Sequence, residues 1–108
     1  MKAHRKTLVR AARDAGRARV DVETATVRAG LQFLLATTEV GRRALLAQLE
    51  RREEHARQAA EAYETALTAL EDAGHYEKSL LINLEIAGKL ERAGRLAAEW
   101  TAGTAGIN

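Results

Sequence analysis

The sequence predicts an all-α protein: a long antiparallel helical hairpin, or an elongated bundle of three to four helices, with a basic N-terminal helix. Three observations lead there. Ala supplies 23 of the 108 residues and Pro none, so a strong helix former dominates and the residue most hostile to helix interiors is missing. Apolar or small residues recur at spacings of three and four through residues 42–74 and again through 76–100, the period of a helix with one buried stripe. Gly74 separates those two stretches, in the place where a helix C-terminus favours glycine.

Residues 1–19 are expected to form a basic helix or arm. Residues 1–20 hold seven basic side chains against Asp14 alone, a net of +6, while the other 88 residues hold ten basic and fourteen acidic side chains, a net of −4. At about 100° per residue, Lys2, Lys6, Arg10, Arg13 and Arg17 share an arc of roughly 80°. A narrow cationic ridge suits a polyanion or an acidic protein surface, and a solvated outer face is the plainer explanation. No aromatic side chain interleaves with the ridge, so contact with nucleic acid is expected to involve phosphates and not stacked bases. Gly16 is expected to end this helix.

A hairpin or bundle domain is expected over residues 20–100. Val20, Val22, Thr24 and Thr26 alternate like a strand, but this chain offers no second strand, so the segment either pairs with another copy or, the reading preferred here, is a linker entering a helix capped at Asp21 or Thr24. Residues 29–38 form the first dense apolar block, ending at Thr37, Thr38 and Gly41. That run marks a helix end and a new N-cap, although Glu39 and Arg43 form an i,i+4 pair that favours continuity.

The helix over 42–74 has a seam of small residues at Ala56, Ala59 and Ala60, flanked by Leu49 and Tyr63. A partner helix can approach closely there. Self-association is expected along Leu49, Ala56, Ala59, Ala60, Tyr63 and Trp100, because the 23 Leu, Ile, Val and Phe residues make a thin core for one domain of this size. Glu53 and Arg57 are expected to pair. A return helix from residue 76 places Tyr63 near Ile86, Leu70 near Leu80, Ala56 near Ala93 and Leu49 near Trp100. Its first half, at Leu80, Leu81, Ile82, Leu84 and Ile86, is apolar on nearly all sides and is expected to be covered from two directions. Residues 101–108 are small and uncharged and read as a fraying tail.

The turn segment AGHYEKSL, residues 73–80, resembles the inter-helix turn of a tetratricopeptide repeat. The likeness covers eight residues. No second copy follows at the family's period, and Asn83 and Ile86 stand where that family has small and aromatic residues. The resemblance implies a helix–turn–helix at this place, and no function is carried across.

Enzymatic and metal readings are weak. Asp72, His75 and Ser79 follow an acid–base–nucleophile order around one turn, but no Gly-rich loop beside them offers an oxyanion site. Glu50, Glu53, Glu54, His55, Glu61 and Glu64 lack the Glu-x-x-His spacing of a bundle metal site, since position 52 is Arg. No Gly-rich phosphate loop is present, so no catalytic residue, metal or cofactor is expected. The absence of Cys excludes disulfides and thiolate chemistry. The longest uncharged run of the body, residues 29–38, is too short to span a membrane, and Arg10, Arg13 and Asp14 interrupt any signal-peptide core.

The expectation is therefore a non-enzymatic structural subunit of a self-assembling particle or filament, such as a virion or phage component, located in the cytoplasm or within that assembly. Its cationic helix would contact nucleic acid or an acidic neighbouring subunit. The alternative is a small dimeric regulatory module binding DNA or a protein through residues 2–19.

Overall fold

The computed structural model describes the backbone of residues 2–107 and the side chains of residues 4–99. Three helices follow one another, α1 (Lys2–Leu35), α2 (Glu39–Asp72) and α3 (Tyr76–Ile107), with no strand among the described residues. The all-α expectation holds. The body is long and flat, 57 × 26 × 15 Å between Cα extremes. Most of the packing between helices is made by α1, first with α2 and then with α3, while α2 and α3 touch least.

Two boundaries expected from the sequence are crossed without a break. Gly16 does not end a helix, and the basic stretch is the first half of α1. The reason lies in packing. Gly16 is buried, and a Cβ there would lie 2.6 Å from Ile86 Cγ1 and 3.2 Å from Tyr63 Cε1. Glycine serves here as the point of closest approach of three helices, at some cost in helix propensity. The alternating Val–Thr run is helical too. Thr24 and Thr26 turn their hydroxyls back onto the carbonyls of Val20 and Val22, each at 2.8 Å, which satisfies these side chains inside a helix. Thr26 Oγ1 also lies 3.2 Å from the carbonyl oxygen of Arg52, joining α1 to α2. At the other end α3 continues through residues 101–107, where a fraying tail was expected.

The two connections follow the sequence. Thr38 caps α2 with extended backbone, and its Oγ1 accepts from Gly41 N at 3.1 Å. Glu39 and Arg43 pair at 2.7 Å within α2, not across the break. The α2 C-terminus closes with Gly74 at φ 88°. His75 N donates to Leu70 O at 3.1 Å and Gly74 N to Glu71 O at 2.8 Å, the two bonds of a Schellman motif.

The core sits near this turn. Tyr63, Leu70 and Ile82 are fully buried and are joined by Ala12, Leu67 and Ile86. Tyr63 and Ile86 meet against Gly16 as expected, and Tyr63 Oη donates to Asn83 Oδ1 at 2.9 Å. The pairing of Leu70 with Leu80 is wrong, because Leu80 is 59% exposed and Ile82 takes the inward position. The expected meeting of Ala56 with Ala93 gives way to packing of Ala93 beside α1, and the expected meeting of Leu49 with Trp100 falls on a side chain outside the described residues. The second half of α3 leans on α1, with Ala93 and Ala97 across a groove from Val20 and Val27. The Trp100 side chain lies outside the described residues. The first half of α3 is covered from one side only, leaving Leu80, Leu81 and Leu84 exposed.

Candidate polyanion-binding face

The side chains Lys6, Arg10, Arg13 and Arg17 are all exposed on α1. The helical repeat places them in one row, at steps of four, three and four residues. That row is about 16 Å long at ~1.5 Å rise per residue. Together with Val9, they line a shallow groove of about 660 Å³ between α1 and the start of α3. Arg5 extends the groove on α1, and Lys78 enters it from α3. Six cations and Asp14 give the groove a net charge of +5. Of the five residues expected to form the ridge, Lys2 alone has a side chain outside the described residues.

The charges of this face differ in their partners from those elsewhere. Among the described residues, Glu39–Arg43, Glu54–Arg57–Glu61 and Glu85–Lys89 form ion pairs within α2 and α3. None of the six groove cations forms one with another described residue. Arg57 bridges Glu54 and Glu61, and the expected pairing with Glu53 is replaced by these two. The Arg57 bond holds the Glu54 carboxyl below its usual range. Like charges left unpaired and crowded on one face repel each other, and an anionic ligand relieves that repulsion.

One basic side chain of α1 outside the groove has structural work. The Arg19 guanidinium lies over the Tyr63 ring, 5.5 Å from its centroid, and its buried Nε finds no acceptor among the described residues. Burial pushes the Tyr63 phenol up from its ordinary value, and the Arg19 charge opposes that rise.

Arg5 and Lys78 were missed from the sequence. Arg5 lies outside the 80° arc, and Lys78 joins only because α1 and α3 run parallel with Gly16 beside Ile86. No local pattern around residue 78 carries that register.

The stripe expected to receive a second copy is largely used within the chain. Ala56 and Tyr63 are buried and Leu49, Ala59 and Ala60 are half-buried. The helix that approaches this seam closely is α1, as the Thr26–Arg52 contact shows. The Asp72–His75–Ser79 constellation does not assemble. Ser79 is 3% exposed, and its hydroxyl donates to Glu71 Oε1 at 2.8 Å, fastening α3 to α2. No three His, Asp or Glu side chains converge as a metal site among the described residues. No described helix is long and apolar enough to cross a membrane.

No protein-family model, curated protein or solved structure matches this chain.

Proposed function

We propose that the chain is a non-enzymatic assembly subunit that lies along the phosphate backbone of nucleic acid through the cationic face of α1. The observation that carries this reading is the groove of six cations supplied by two helices, five of them exposed on α1 and Lys78 half-buried on α3. On a duplex, one strand presents a phosphate every ~3.4 Å of axis, so a row of about 16 Å faces about five phosphates. The groove is lined by no aromatic side chain, which favours contact with the backbone and little reading of sequence. A virion, phage particle or nucleic-acid-coating filament is a setting that uses such a subunit. A dimeric regulatory module gripping DNA through residues 2–19 uses the same face and differs from the first reading in assembled mass.

The test is fluorescence anisotropy with two labelled DNA duplexes of unrelated sequence at low salt. The wild type is expected to bind both alike. Arg10→Glu with Arg13→Glu should weaken binding by about tenfold or more, since two attractive phosphate contacts become repulsive. Both positions are exposed, so helicity by circular dichroism should be unchanged. Equal affinity of wild type and double variant overturns the proposal.

A further inference from the structure

Beyond Gly16 the seam between α1 and α3 opens into a groove of about 630 Å³, within the size range of small-molecule sites. Val20, Val27 and Leu31 of α1 and Ala93 and Ala97 of α3 line it and are half-buried, and Leu35 and Leu96 line it and are exposed. Along α1 the lining runs from Val20 to Leu35, about 22 Å at ~1.5 Å per residue. Spread over that length, the volume gives a mean cross-section of about 28 Å², roughly 5 Å across. A single extended alkyl chain, whose carbons touch their neighbours at about 3.5–4 Å, fits that width. A helix, about 10 Å across with its side chains, is too broad to enter it.

The charges of the lining have one sign. Arg28, Lys89 and Arg92 line the groove, and no acidic side chain does so among the described residues. Glu85 holds Lys89 at 3.4 Å, while neither arginine forms an ion pair with a described residue. Asp21, Glu91 and Glu99 are exposed and lie outside the lining. With α1 and α3 parallel and Gly16 beside Ile86, Lys89 and Arg92 bracket the level of Val20. That is the end at which Arg17 closes the cationic groove. Leu31 and Leu35 lie at the other end. Arg28 stands between, where its methylene stem can follow an apolar guest while its guanidinium stays in water.

We infer that this groove binds a free single-chain anionic amphiphile, a carboxylate on an unbranched alkyl tail. The head sits at Lys89 and Arg92, and the tail runs past Val27, Ala97 and Leu31 toward Leu35. Width selects a tail over a partner helix. The one-signed lining selects an anionic head over a neutral or cationic one. Arg10 and Arg13 line a different groove, so this site stands or falls independently of phosphate contact by α1.

The test is isothermal titration calorimetry of the full chain with laurate, decanoate and laurylamine, each kept below its micelle concentration. Laurate should bind as a single molecule per chain. Laurylamine, with the same tail and the opposite head charge, should bind at least about tenfold more weakly. Decanoate, two methylenes shorter, should bind about fourfold or more weakly than laurate, since a fully buried methylene is worth about fourfold and this groove is open on one side. Leu96→Asp should weaken laurate by more than about tenfold, by setting a charge against the tail. Arg92→Glu should weaken it by about tenfold and narrow its lead over laurylamine. Both positions are exposed, so each variant should keep wild-type helicity. Arg10→Glu with Arg13→Glu should leave laurate affinity within about twofold, which separates this site from the cationic groove. No binding of laurate by the wild type, equal affinity for laurate and laurylamine, or a laurate affinity that Leu96→Asp leaves unchanged overturns the inference.

Discussion

The seam between α1 and α3 has two halves with opposite chemistry. In the first half, Lys6, Arg10, Arg13 and Arg17 with Lys78 line a cationic groove. In the second, Val20, Val27, Leu31 and Leu35 face Ala93 and Leu96 across an apolar groove of about 630 Å³. The packing beneath them differs as well. Under the first half lie Tyr63, Leu67, Leu70, Ile82 and Ile86, closed around Ala12 and Gly16. Under the second, Ala29 and Ala56 are the only buried apolar side chains among the described residues, while Leu34, Leu35, Val40, Leu46 and Leu96 remain exposed. Large side chains from α2 and α3 close on small ones of α1 at one end, whereas at the other the buried apolar side chains are the small Ala29 of α1 and Ala56 of α2. A cationic face loses less to side-chain and backbone ordering when it stands on a packed platform, and the charged half of the seam is the half that has one.

Breaking the closed end should cost far more than breaking the open end. Leu70→Ala removes a fully buried side chain and should lower stability by about 2–5 kcal/mol. Leu34→Ala, at a position 70% exposed, should change it by less than about 0.5 kcal/mol. Urea midpoints of the two variants measure the contrast. Equal losses would mean that the two ends are equally packed.

The two glycines of α1 sharpen it by sign. Gly16→Leu must drive atoms into Ile86 and Tyr63 and should cost about 1–3 kcal/mol or more. Gly30→Ala puts a methyl into open space within the same helix and should stabilise by about 0.5–1 kcal/mol. Thermal unfolding of both variants reads the opposite shifts, and a shared sign would contradict the difference in packing.

The smallest effect concerns pH. Burial raises the Tyr63 phenol above its ordinary value in the folded chain. A raised acid contributes its full stability below the unfolded value of about 10 and loses it as pH climbs through the folded value. Urea midpoints should therefore fall as pH rises past about 10. Tyr63→Phe should flatten that fall, and an identical alkaline decline in both proteins would remove Tyr63 as its source.

Much of the chain was legible where local chemistry decides the outcome. Thr38 and Gly41 announce the start of α2, and Gly74 announces its end, because caps act within a few residues. The cationic row followed from helical period alone. Gly16 misled because glycine both ends helices and lets neighbours approach, and only Tyr63 and Ile86, far away in sequence, decide which. Thr24 and Thr26 misled because their strand preference is overridden by hydroxyl bonds back to the helix. Placement of α3 was illegible for a related reason. Its apolar residues occupy nearly every side, so periodicity does not say that Ile82 turns inward and Leu80 outward. Lys78 joined the cationic face only through that unpredicted placement.

The most direct measurement of the central claim is the salt dependence of duplex binding. With about five phosphates faced by the α1 row, the plot of log affinity against log salt should fall with a slope of about −4 to −5. Removing two contacts with Arg10→Glu and Arg13→Glu should flatten that slope by about 2. Leu34→Ala, at the apolar end of the same helix, should leave it unchanged. A slope near zero for the wild type, or one that the two charge reversals do not alter, would contradict phosphate contact by this face.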